Sequence, residues 1–293
     1  MSWLKITFVV NKDELDFISD RLELAGAQAV TIVDAGDNPL FDLLNGDLPL
    51  WDNSLVSGLF KADQGSDAVI AQLADVFAPA AVPECRVESL PDQDWERSWM
   101  DRFRPMQYGK NLWICPSWYK PPDPEATNVM LDPGLAFGSG SHETTRLCME
   151  WLSKQQLEGK SVIDYGCGSG ILAIAALKLG ADSALGIDID EQALKASRQN
   201  AQLNHVSEKL QLELPADMPD RIQSDIVFAN ILAGTLVELK SHLLSYRKPQ
   251  GVLVLSGILK SQQALIYKAF ETGNTIKIHN DGDWMMMSVI SQS

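Results

Sequence analysis

The sequence predicts an α/β protein in which a doubly wound, mostly parallel sheet follows a small α+β domain. From residue 161 onward, short apolar runs alternate with segments of helical periodicity, which is typical of a doubly wound sheet. The last two apolar runs are separated only by residues 280–283 (Asn-Asp-Gly-Asp), a turn too short for a crossover helix, so these strands must be antiparallel. Residues 1–90 instead show the order strand, helix, strand, strand, helix, strand, which is typical of a ferredoxin-like domain.

The first domain is predicted over residues 1–90 and is strongly acidic. Its strands are expected at 2–10, 29–34, 55–60 and 84–90, and its helices at 12–25 and 67–77. It holds 5 Lys or Arg against 15 Asp or Glu, a net of −10 within the chain's total of −15. Such a domain repels phosphate backbones and attracts a basic partner, although acidity that serves only solubility is an equal alternative.

A linker helix is predicted over residues 91–106, and the second domain over residues 107–293. Trp95, Trp99 and Phe103 recur at helical spacing in the linker, and we expect this aromatic stripe to pack against the second domain. The strands of the second domain are predicted at 111–116, 127–131, 161–165, 184–188, 209–213, 225–229, 251–256, 274–279 and 284–290, and its helices at 143–152, 170–179, 190–204, 232–245 and 260–272.

The composition is that of an ordinary globular protein of a reducing compartment. Apolar residues make up 45% of the chain. The four cysteines form no C-x-x-C pair, so we expect free thiols and a cytoplasmic location. Acidic residues interrupt the first apolar run, and neither a signal peptide nor a membrane span is expected. No cluster of His, Cys and carboxylates has metal-ligand spacing, so no metal is predicted.

The candidate site centres on a glycine-rich turn between a predicted strand and a predicted helix. Gly166, Gly168 and Gly170 stand at alternate positions, and glycine lets the backbone pass close to a ligand. The helix that follows offers unpaired N–H groups at its first turn. Asp188 ends the next strand, where a carboxylate can accept hydrogen bonds from ribose hydroxyls. We therefore predict a nucleotide-like ligand, and an ordinary turn acid is the alternative for Asp188.

The glycine spacing alone leaves two cofactor classes open. Gly168, Gly170 and Ala173 also fit the dinucleotide form G-x-G-x-x-A. Asp164 lies two residues before the first glycine, where its carboxylate would repel a pyrophosphate and suit a ligand with a cationic amino acid end. The alternative for Asp164 is a carboxylate that only caps its own loop.

Asn230 is the predicted catalytic residue. It follows the strand at 225–229, whose carboxyl end abuts the glycine turn in a doubly wound sheet. Its amide oxygen can accept a hydrogen bond from an amine. The alternative is that Asn230 caps the predicted helix 232–245.

A Gly/Ser-rich loop precedes the helix that begins near His142. Phe137 stands among three glycines of this loop, where one aromatic ring could cover a ligand. Ser141 is expected to cap the helix, and Thr145 adds a hydroxyl at its start. His142 is a candidate base or ligand contact, with a solvated or capping histidine as the more common case.

The strand-end residues and the glycine turn together resemble a known enzyme class, the Rossmann-like S-adenosylmethionine-dependent methyltransferases. The seven-stranded sheet of that class also ends in an antiparallel strand pair. The residues that carry the resemblance are Asp164, Gly166, Gly168, Gly170, Asp188 and Asn230. The resemblance implies S-adenosylmethionine as the cofactor and methyl transfer as the reaction.

A narrower resemblance covers the whole chain and is strongest over residues 131–256. Residues 132–145, 164–176 and 229–233 are similar to the bacterial methyltransferases of ribosomal protein L11. This implies that lysine side-chain and N-terminal amines of that basic protein are methylated, and that the first domain holds it. By this resemblance the cofactor contacts Thr145, Gly166, Asp188 and Asn230, and the full predicted set adds Asp164, Gly168, Gly170, Phe137 and His142.

Three alternatives to this function stay open from the residues alone. They are an RNA or small-molecule methyltransferase, an NAD-dependent oxidoreductase, and a non-catalytic ribosome-assembly factor. The acidic first domain argues against RNA, so no direct nucleic-acid binding is expected. We also expect no membrane contact and a monomer. The sequence after Asn230 lacks the N-P-P-Y form of many amine methyltransferases, which implies a looser substrate clamp.

Overall fold

The computed structural model describes residues 3–36, 53–62, 65–90, 103–132, 140–218 and 222–292. The chain divides into two compact units, Met1–Met100 and Asp101–Ser293. The predicted domain boundaries near residues 90 and 106 stay a prediction. Most of the predicted linker helix, including Trp95 and Trp99, lies outside the described residues.

The first unit contains one antiparallel sheet and two helices in the predicted order. Its elements are β1 (Trp3–Asn11), α1 (Leu15–Leu24), β2 (Ala29–Asp34), β3 (Asn53–Lys61), α2 (Ser66–Phe77) and β4 (Cys85–Leu90), and the sheet order is β2-β3-β1-β4. Alternate residues of β1 are buried with the apolar faces of both helices, which explains the pattern seen in the sequence. A 3₁₀ turn before α1 is held by a capping box, in which Asn11 and Glu14 each accept a hydrogen bond from the other's backbone N–H.

The second unit begins with a small three-stranded sheet. Its strands are β5 (Met106–Tyr108), β6 (Leu112–Cys115) and β7 (Thr127–Met130); β5 pairs antiparallel and β7 parallel to β6. Residues 103–105 are not helical, so the predicted helix does not reach Phe103 or Pro105. Proline disfavours the helical conformation of the residue before it, which explains why the helix cannot extend this far.

A seven-stranded sheet forms the centre of the second unit, as predicted. The strands are β8 (Ser161–Tyr165), β9 (Ser183–Ile187), β10 (Leu210–Glu213), β11 (Ser224–Asn230), β12 (Arg247–Leu259), β13 (Asn274–Asp281) and β14 (Trp284–Ser291). Their order is β10-β9-β8-β11-β12-β14-β13. The first five are parallel, and β14 is antiparallel to both of its neighbours. The strands predicted from alternation and the antiparallel terminal pair are therefore confirmed.

Helices cover both faces of this sheet. They are α3 (Glu143–Leu152), α4 (Ile171–Lys178), α5 (Glu191–Leu203), α6 (Ala233–Glu238), α7 (Lys240–Ser245) and α8 (Gln263–Phe270). The first three contribute to one hydrophobic core and the last three to another, on opposite sides of the sheet. Val162 and Ile163 of β8 belong to different cores, since successive side chains of a strand point to opposite faces. Burial on both faces explains why these strands are continuously apolar.

The predicted helix 232–245 is in fact two short helices. α6 ends and α7 begins at Leu239, whose ψ of 3° departs from helical values. Leu236 and Leu243 are both fully buried on either side of the break, so the apolar period continues through it. The spacing of apolar side chains does not reveal a change in one backbone angle. β12 is also longer than the predicted 251–256.

The described residues contain neither a membrane-spanning helix nor a metal-ligand cluster. No helix in these ranges is both long and apolar enough to cross a membrane. The same ranges contain no group of three or more His, Cys, Asp or Glu that could hold a metal ion.

Candidate active site

The candidate site lies where the strand order reverses. β8 and β11 are neighbours in the sheet, and the chain leaves β8 toward one edge and β11 toward the other. Ligands of open α/β sheets bind at the carboxyl ends of the strands at such a point. The glycine turn follows β8, Asp188 follows β9, and Asn230 ends β11. The fold therefore brings the three predicted strand-end features to one edge of the sheet.

The glycine turn has a backbone that other residues rarely adopt. Gly166, Gly168 and Gly170 have φ values of +74°, +54° and +75°. The N–H groups of Gly166 and Cys167 both donate to the carbonyl of Ile187, at 2.7 and 3.0 Å, and thereby fix the turn to the end of β9. Three positive φ angles in five residues require glycine here.

Space around the turn imposes the same requirement. A Cβ at Gly166 would overlap the side chain of Ile231, and a Cβ at Gly170 would lie 2.8 Å from Ser197 Oγ. Ser197 and Asn200 of α5 also hold the turn, since Ser197 Oγ donates to Gly168 O at 2.8 Å and Asn200 Nδ2 donates to Ser169 O at 2.9 Å. Both side chains are buried and lie at i, i+3 spacing on one face of α5.

Asp188 is half-buried beside the turn. Its Oδ2 accepts from Gly168 N at 2.8 Å and its Oδ1 accepts from Asp190 N at 3.1 Å. Each carboxylate oxygen has two lone pairs, so both can accept a further hydrogen bond from a ligand hydroxyl. Asp188 therefore orders the turn and keeps capacity for a ribose.

Asp164 lies beneath the turn and is 1% exposed. Its Oδ2 accepts from Ala173 N at 3.2 Å, in the first turn of α4. Burial raises the pKa of this carboxyl to about 7; the Ala173 hydrogen bond lowers it, and the charge of Asp188 raises it further. The loop-capping alternative thus describes one contact of Asp164. A nearby cation would favour the ionised form of this carboxyl and lower its pKa.

Asn230 contacts Thr145 across the site. Asn230 Nδ2 donates to Thr145 Oγ1 at 3.3 Å, and an amide oxygen such as its Oδ1 can accept further hydrogen bonds. The N-cap of α6 is Leu232, which makes no side-chain capping bond. Asn230 is therefore not the cap of the following helix, and the capping alternative is wrong. Thr145 is only 4% exposed, so most of its surface contacts protein.

The loop before α3 differs from its prediction in one respect. His142, not Ser141, is the N-cap of α3, and its Nδ1 accepts from Thr144 N at 3.3 Å. The histidine ring also packs edge-on against Trp284, with centroids 4.9 Å apart. Histidine is a rare cap, and propensity favours serine, which explains the error. The hydrogen bonds described for His142 stay within its own helical turn, and Phe137 lies outside the described residues.

Sequence reasoning missed contacts that hold the neighbourhood of Asn230. Tyr108 Oη donates to Gly140 O at 2.9 Å, and Ser256 Oγ donates to Thr144 O at 3.0 Å. Gly257 has a φ of +82° within β12. A glycine inside a strand often marks a bulge, but the predicted strand ends at residue 256, so Gly257 was not recognised as one. No sequence signal pairs Tyr108 or Ser256 with its distant acceptor.

Comparison with known proteins follows this geometry. The sequence model of one family, described as ribosomal protein L11 methyltransferase (PrmA), matches residues 2–292. The chain belongs to this family. It is 52% identical over 270 residues to a ribosomal protein L11 methyltransferase of Actinobacillus pleuropneumoniae serotype 5b (strain L20), covering 92% of each chain. It is 46% identical over 289 residues to one of Alteromonas mediterranea, covering 98% of this chain and 99% of that one.

A solved structure is also similar. The crystal structure of a ribosomal protein L11 methylase from Lactobacillus delbrueckii subsp. bulgaricus matches with a TM-score of 0.59 and 35% identity, over 65% of this chain and 100% of that chain. Membership of the PrmA family confirms the Rossmann-like methyltransferase fold, the enzyme class and the cofactor, S-adenosylmethionine. The NAD-dependent alternative is therefore wrong.

The chain's own residues fit this cofactor. The turn presents backbone without Cβ atoms at positions 166, 168 and 170, and Asp188 keeps acceptor capacity for ribose hydroxyls. Asp164 lacks a basic partner among the described residues, and a cationic amino acid end would supply the missing positive charge.

Proposed function

We propose that this chain transfers methyl groups from S-adenosylmethionine to lysine side-chain and N-terminal amines of ribosomal protein L11. The observation that carries the proposal is the position of Asn230, whose amide oxygen is available beside the glycine turn while its nitrogen is fixed by Thr145. Bound S-adenosylmethionine supplies an electrophilic methyl group. The protein's task is then to hold both partners in line and to orient the amine.

The roles of the remaining site residues follow from their contacts. Asp188 accepts the ribose hydroxyls, the three glycines line the cofactor, and Asp164 balances the charge of its ammonium group from beneath the turn. Thr145 fixes the amide of Asn230 rather than offering a large surface of its own, since it is almost fully buried. Phe137 and His142 remain proposed contacts at the edge of the site.

The attacking amine must be neutral. For a lysine with a pKa of about 10.4, neutrality at pH 7 costs roughly 4.6 kcal/mol. An apolar surrounding lowers that pKa because it disfavours the ammonium form. Leu232, two residues after Asn230, is a 56% exposed apolar side chain at this edge of the sheet. Asn230 Oδ1 then accepts one N–H of the amine and directs its lone pair.

The first unit is the proposed holder of the substrate. Exposed carboxylates lie along α1 and the turn before it, namely Asp13, Glu14, Asp16, Asp20 and Glu23. A negative surface speeds encounter with a basic protein and disfavours RNA. We further propose that the enzyme acts in the cytoplasm, as a monomer, without contacting nucleic acid directly.

Transfer of a labelled methyl group tests the reaction. The full chain is incubated with methyl-labelled S-adenosylmethionine, purified ribosomal protein L11 and, separately, ribosomal RNA, and the products are read by mass spectrometry. We expect label on amines of the protein and none on RNA. Label on RNA would overturn the substrate, and cofactor binding without transfer would favour a non-catalytic binder.

Charge neutralisation tests the role of the first unit. The triple variant Asp16→Asn, Asp20→Asn, Glu23→Gln should raise KM for ribosomal protein L11 several-fold at low salt, with cofactor affinity unchanged. The control removes three exposed carboxylates of the second unit, through Glu158→Gln, Glu208→Gln and Glu271→Gln. Equal effects of both triples would contradict a substrate-holding role.

A further inference from the structure

We infer that Ser256 and Gly257, adjacent residues of β12, are positioning residues that set the orientation of the Asn230 amide. The inference rests on the proposed function. Neither residue belongs to the glycine turn or to a strand end. Each instead contacts one of the two segments that flank Asn230: Ser256 contacts the start of α3, and Gly257 contacts Ile231.

Ser256 acts on the Thr145 side. It is fully buried and lies opposite Asn230 in the register of β11 and β12. Its Oγ donates to Thr144 O at 3.0 Å. Thr145, the residue after Thr144, accepts a hydrogen bond from the Asn230 amide. Ser256 therefore fixes the backbone next to Thr145, whose hydroxyl accepts the hydrogen bond from the Asn230 amide.

Gly257 acts on the other side. Its φ of +82° lies within a bulge of β12, where the pairing register shifts between Leu255 and Ile258. A Cβ built on Gly257 would overlap Ile231 O and lie 2.9 Å from its carbonyl carbon and 3.2 Å from its nitrogen. The backbone directly after Asn230 thus rests on a surface that only glycine provides.

The two contacts leave little freedom to the amide between them. The strand pairing of β11 ends at Asn230. Without these two contacts, the side chain of Asn230 would therefore be free to rotate. Ile231 is further held by its own side chain, which packs over Gly166. One bulge in β12 therefore links the cofactor turn, the catalytic amide and the first turn of α3. A displacement of about 1 Å at such a position lowers a rate by about 100-fold.

Two variants with matched controls test the inference. Gly257→Ala introduces a Cβ against Ile231 and should lower kcat at least 30-fold; Ser256→Ala removes one hydrogen bond and should lower kcat about fivefold. Gly251 of the same strand would place a Cβ 2.8 Å from Asp225 O, at the opposite end of β11, so Gly251→Ala controls for damage to the strand. Ser288→Ala controls for loss of a buried serine of the same sheet.

The readouts separate positioning from stability. KM for ribosomal protein L11 and cofactor affinity, measured by calorimetry without substrate, should stay within threefold of the wild type for all four variants. Amide hydrogen exchange of residues 143–147 should accelerate in Ser256→Ala and not in Ser288→Ala. Control variants should lose thermal stability without losing kcat.

A double-variant cycle decides whether the effect passes through Asn230. In an Asn230→Ala background, Gly257→Ala and Ser256→Ala should change the residual rate less than twofold, since the amide they orient is absent. The inference would be overturned if either variant lowered the rate as much in the Asn230→Ala background as in the wild type. It would also be overturned if the controls lost as much kcat as the test variants. If the wild type binds the cofactor and labels no ribosomal protein L11, the proposed function fails instead. If Gly257→Ala does not fold, Ser256→Ala and its cycle still give the answer.

Discussion

The two ends of the seven-stranded sheet surround their carboxylates in opposite ways. At the amino ends of the strands, Asp225 is surrounded by donors: Ser161 N at 2.9 Å, Ser161 Oγ at 2.8 Å and Lys248 Nζ at 2.7 Å. Burial alone would raise the pKa of Asp225, but the hydrogen bonds from Lys248 and Ser161 outweigh burial and hold the pKa well below its usual range. This end of the sheet satisfies its own charge.

At the carboxyl ends the opposite holds. Asp164 accepts a single backbone hydrogen bond, and no lysine or arginine of the described residues forms an ion pair with it. Burial therefore dominates, and the pKa of Asp164 rises to about 7. The difference distinguishes the two ends of the sheet: the protein supplies a cation, Lys248, to Asp225 at the structural end and none, among the described residues, to Asp164 at the carboxyl ends.

The largest expected effect breaks the functional end. Asn230→Ala should lower kcat by about 100-fold to 1000-fold, because the amine loses the acceptor that orients it in the transition state. Cofactor affinity should fall less than tenfold. Asn274→Ala, which removes another buried asparagine at the far edge of the sheet, should lower stability and leave kcat unchanged. Equal kcat losses would show that Asn230 acts only through stability.

The second prediction concerns the pH dependence of stability. The pKa of Asp164 is raised in the native state and has its ordinary value, near 4, in the unfolded state. Between these two pKa values the native state keeps the proton and the unfolded state has lost it. The contribution is thus present at low pH and is lost as the pH rises to about 7. Between pH 5 and pH 7 this group should lower the free energy of unfolding by about 2 kcal/mol. Urea titrations of the wild type should show this slope, and Asp164→Asn should lack it.

Cofactor binding sharpens the same test. A cationic amino acid end near Asp164 favours the ionised carboxyl, so the wild type should release up to one proton on binding S-adenosylmethionine at pH 6. Calorimetry in buffers of different ionisation enthalpy measures this release. Identical release by Asp164→Asn would leave Asp164 with its structural role alone.

The third prediction compares two acids two residues apart. Asp188→Asn should weaken cofactor binding about tenfold, since it removes a charged acceptor of hydroxyl hydrogen bonds. Asp190 caps α5 by accepting from Gln192 N at 2.8 Å. Asp190→Asn should therefore leave the affinity unchanged. An equal loss of affinity for both variants in calorimetric titrations would refute the specific role of Asp188.

The smallest expected effect breaks the structural end. Asp225→Asn should lower the free energy of unfolding by about 1 kcal/mol at pH 7 and leave kcat and cofactor affinity unchanged. The depressed pKa of Asp225 means that its contribution is present at neutral pH and is lost as the pH falls through the acid range. The pH slopes of the Asp225 and Asp164 contributions should thus have opposite signs. A slope of one sign for both carboxyls would remove the contrast between the two ends.

Much of the fold could be predicted because its signals are local. Short apolar runs located the strands, and the short turn at residues 280–283 fixed the antiparallel pair. The break at Leu239 and the cap at His142 were missed, because single backbone angles and unusual caps leave no trace in a periodic pattern.

The candidate site was predicted as far as its residues stand at strand ends. Strand ends gather at one edge once the topology is known, so Asp188 and Asn230 could be placed together from sequence. Ser256 and Ser197 could not, since each acts through a hydrogen bond to a backbone carbonyl far away in the chain. A carbonyl belongs to every residue, so no residue type marks such an acceptor.

The position of β14 has a consequence for the order of assembly. β14 lies between β12 and β13, so β13, which is made first, has no partner strand until β14 has been made. During synthesis β13 is an open edge, and the solvent-facing Lys277 is the kind of residue that discourages pairing with other chains. The last strand of the sequence is thus the one that joins the edge strand to the rest of the sheet.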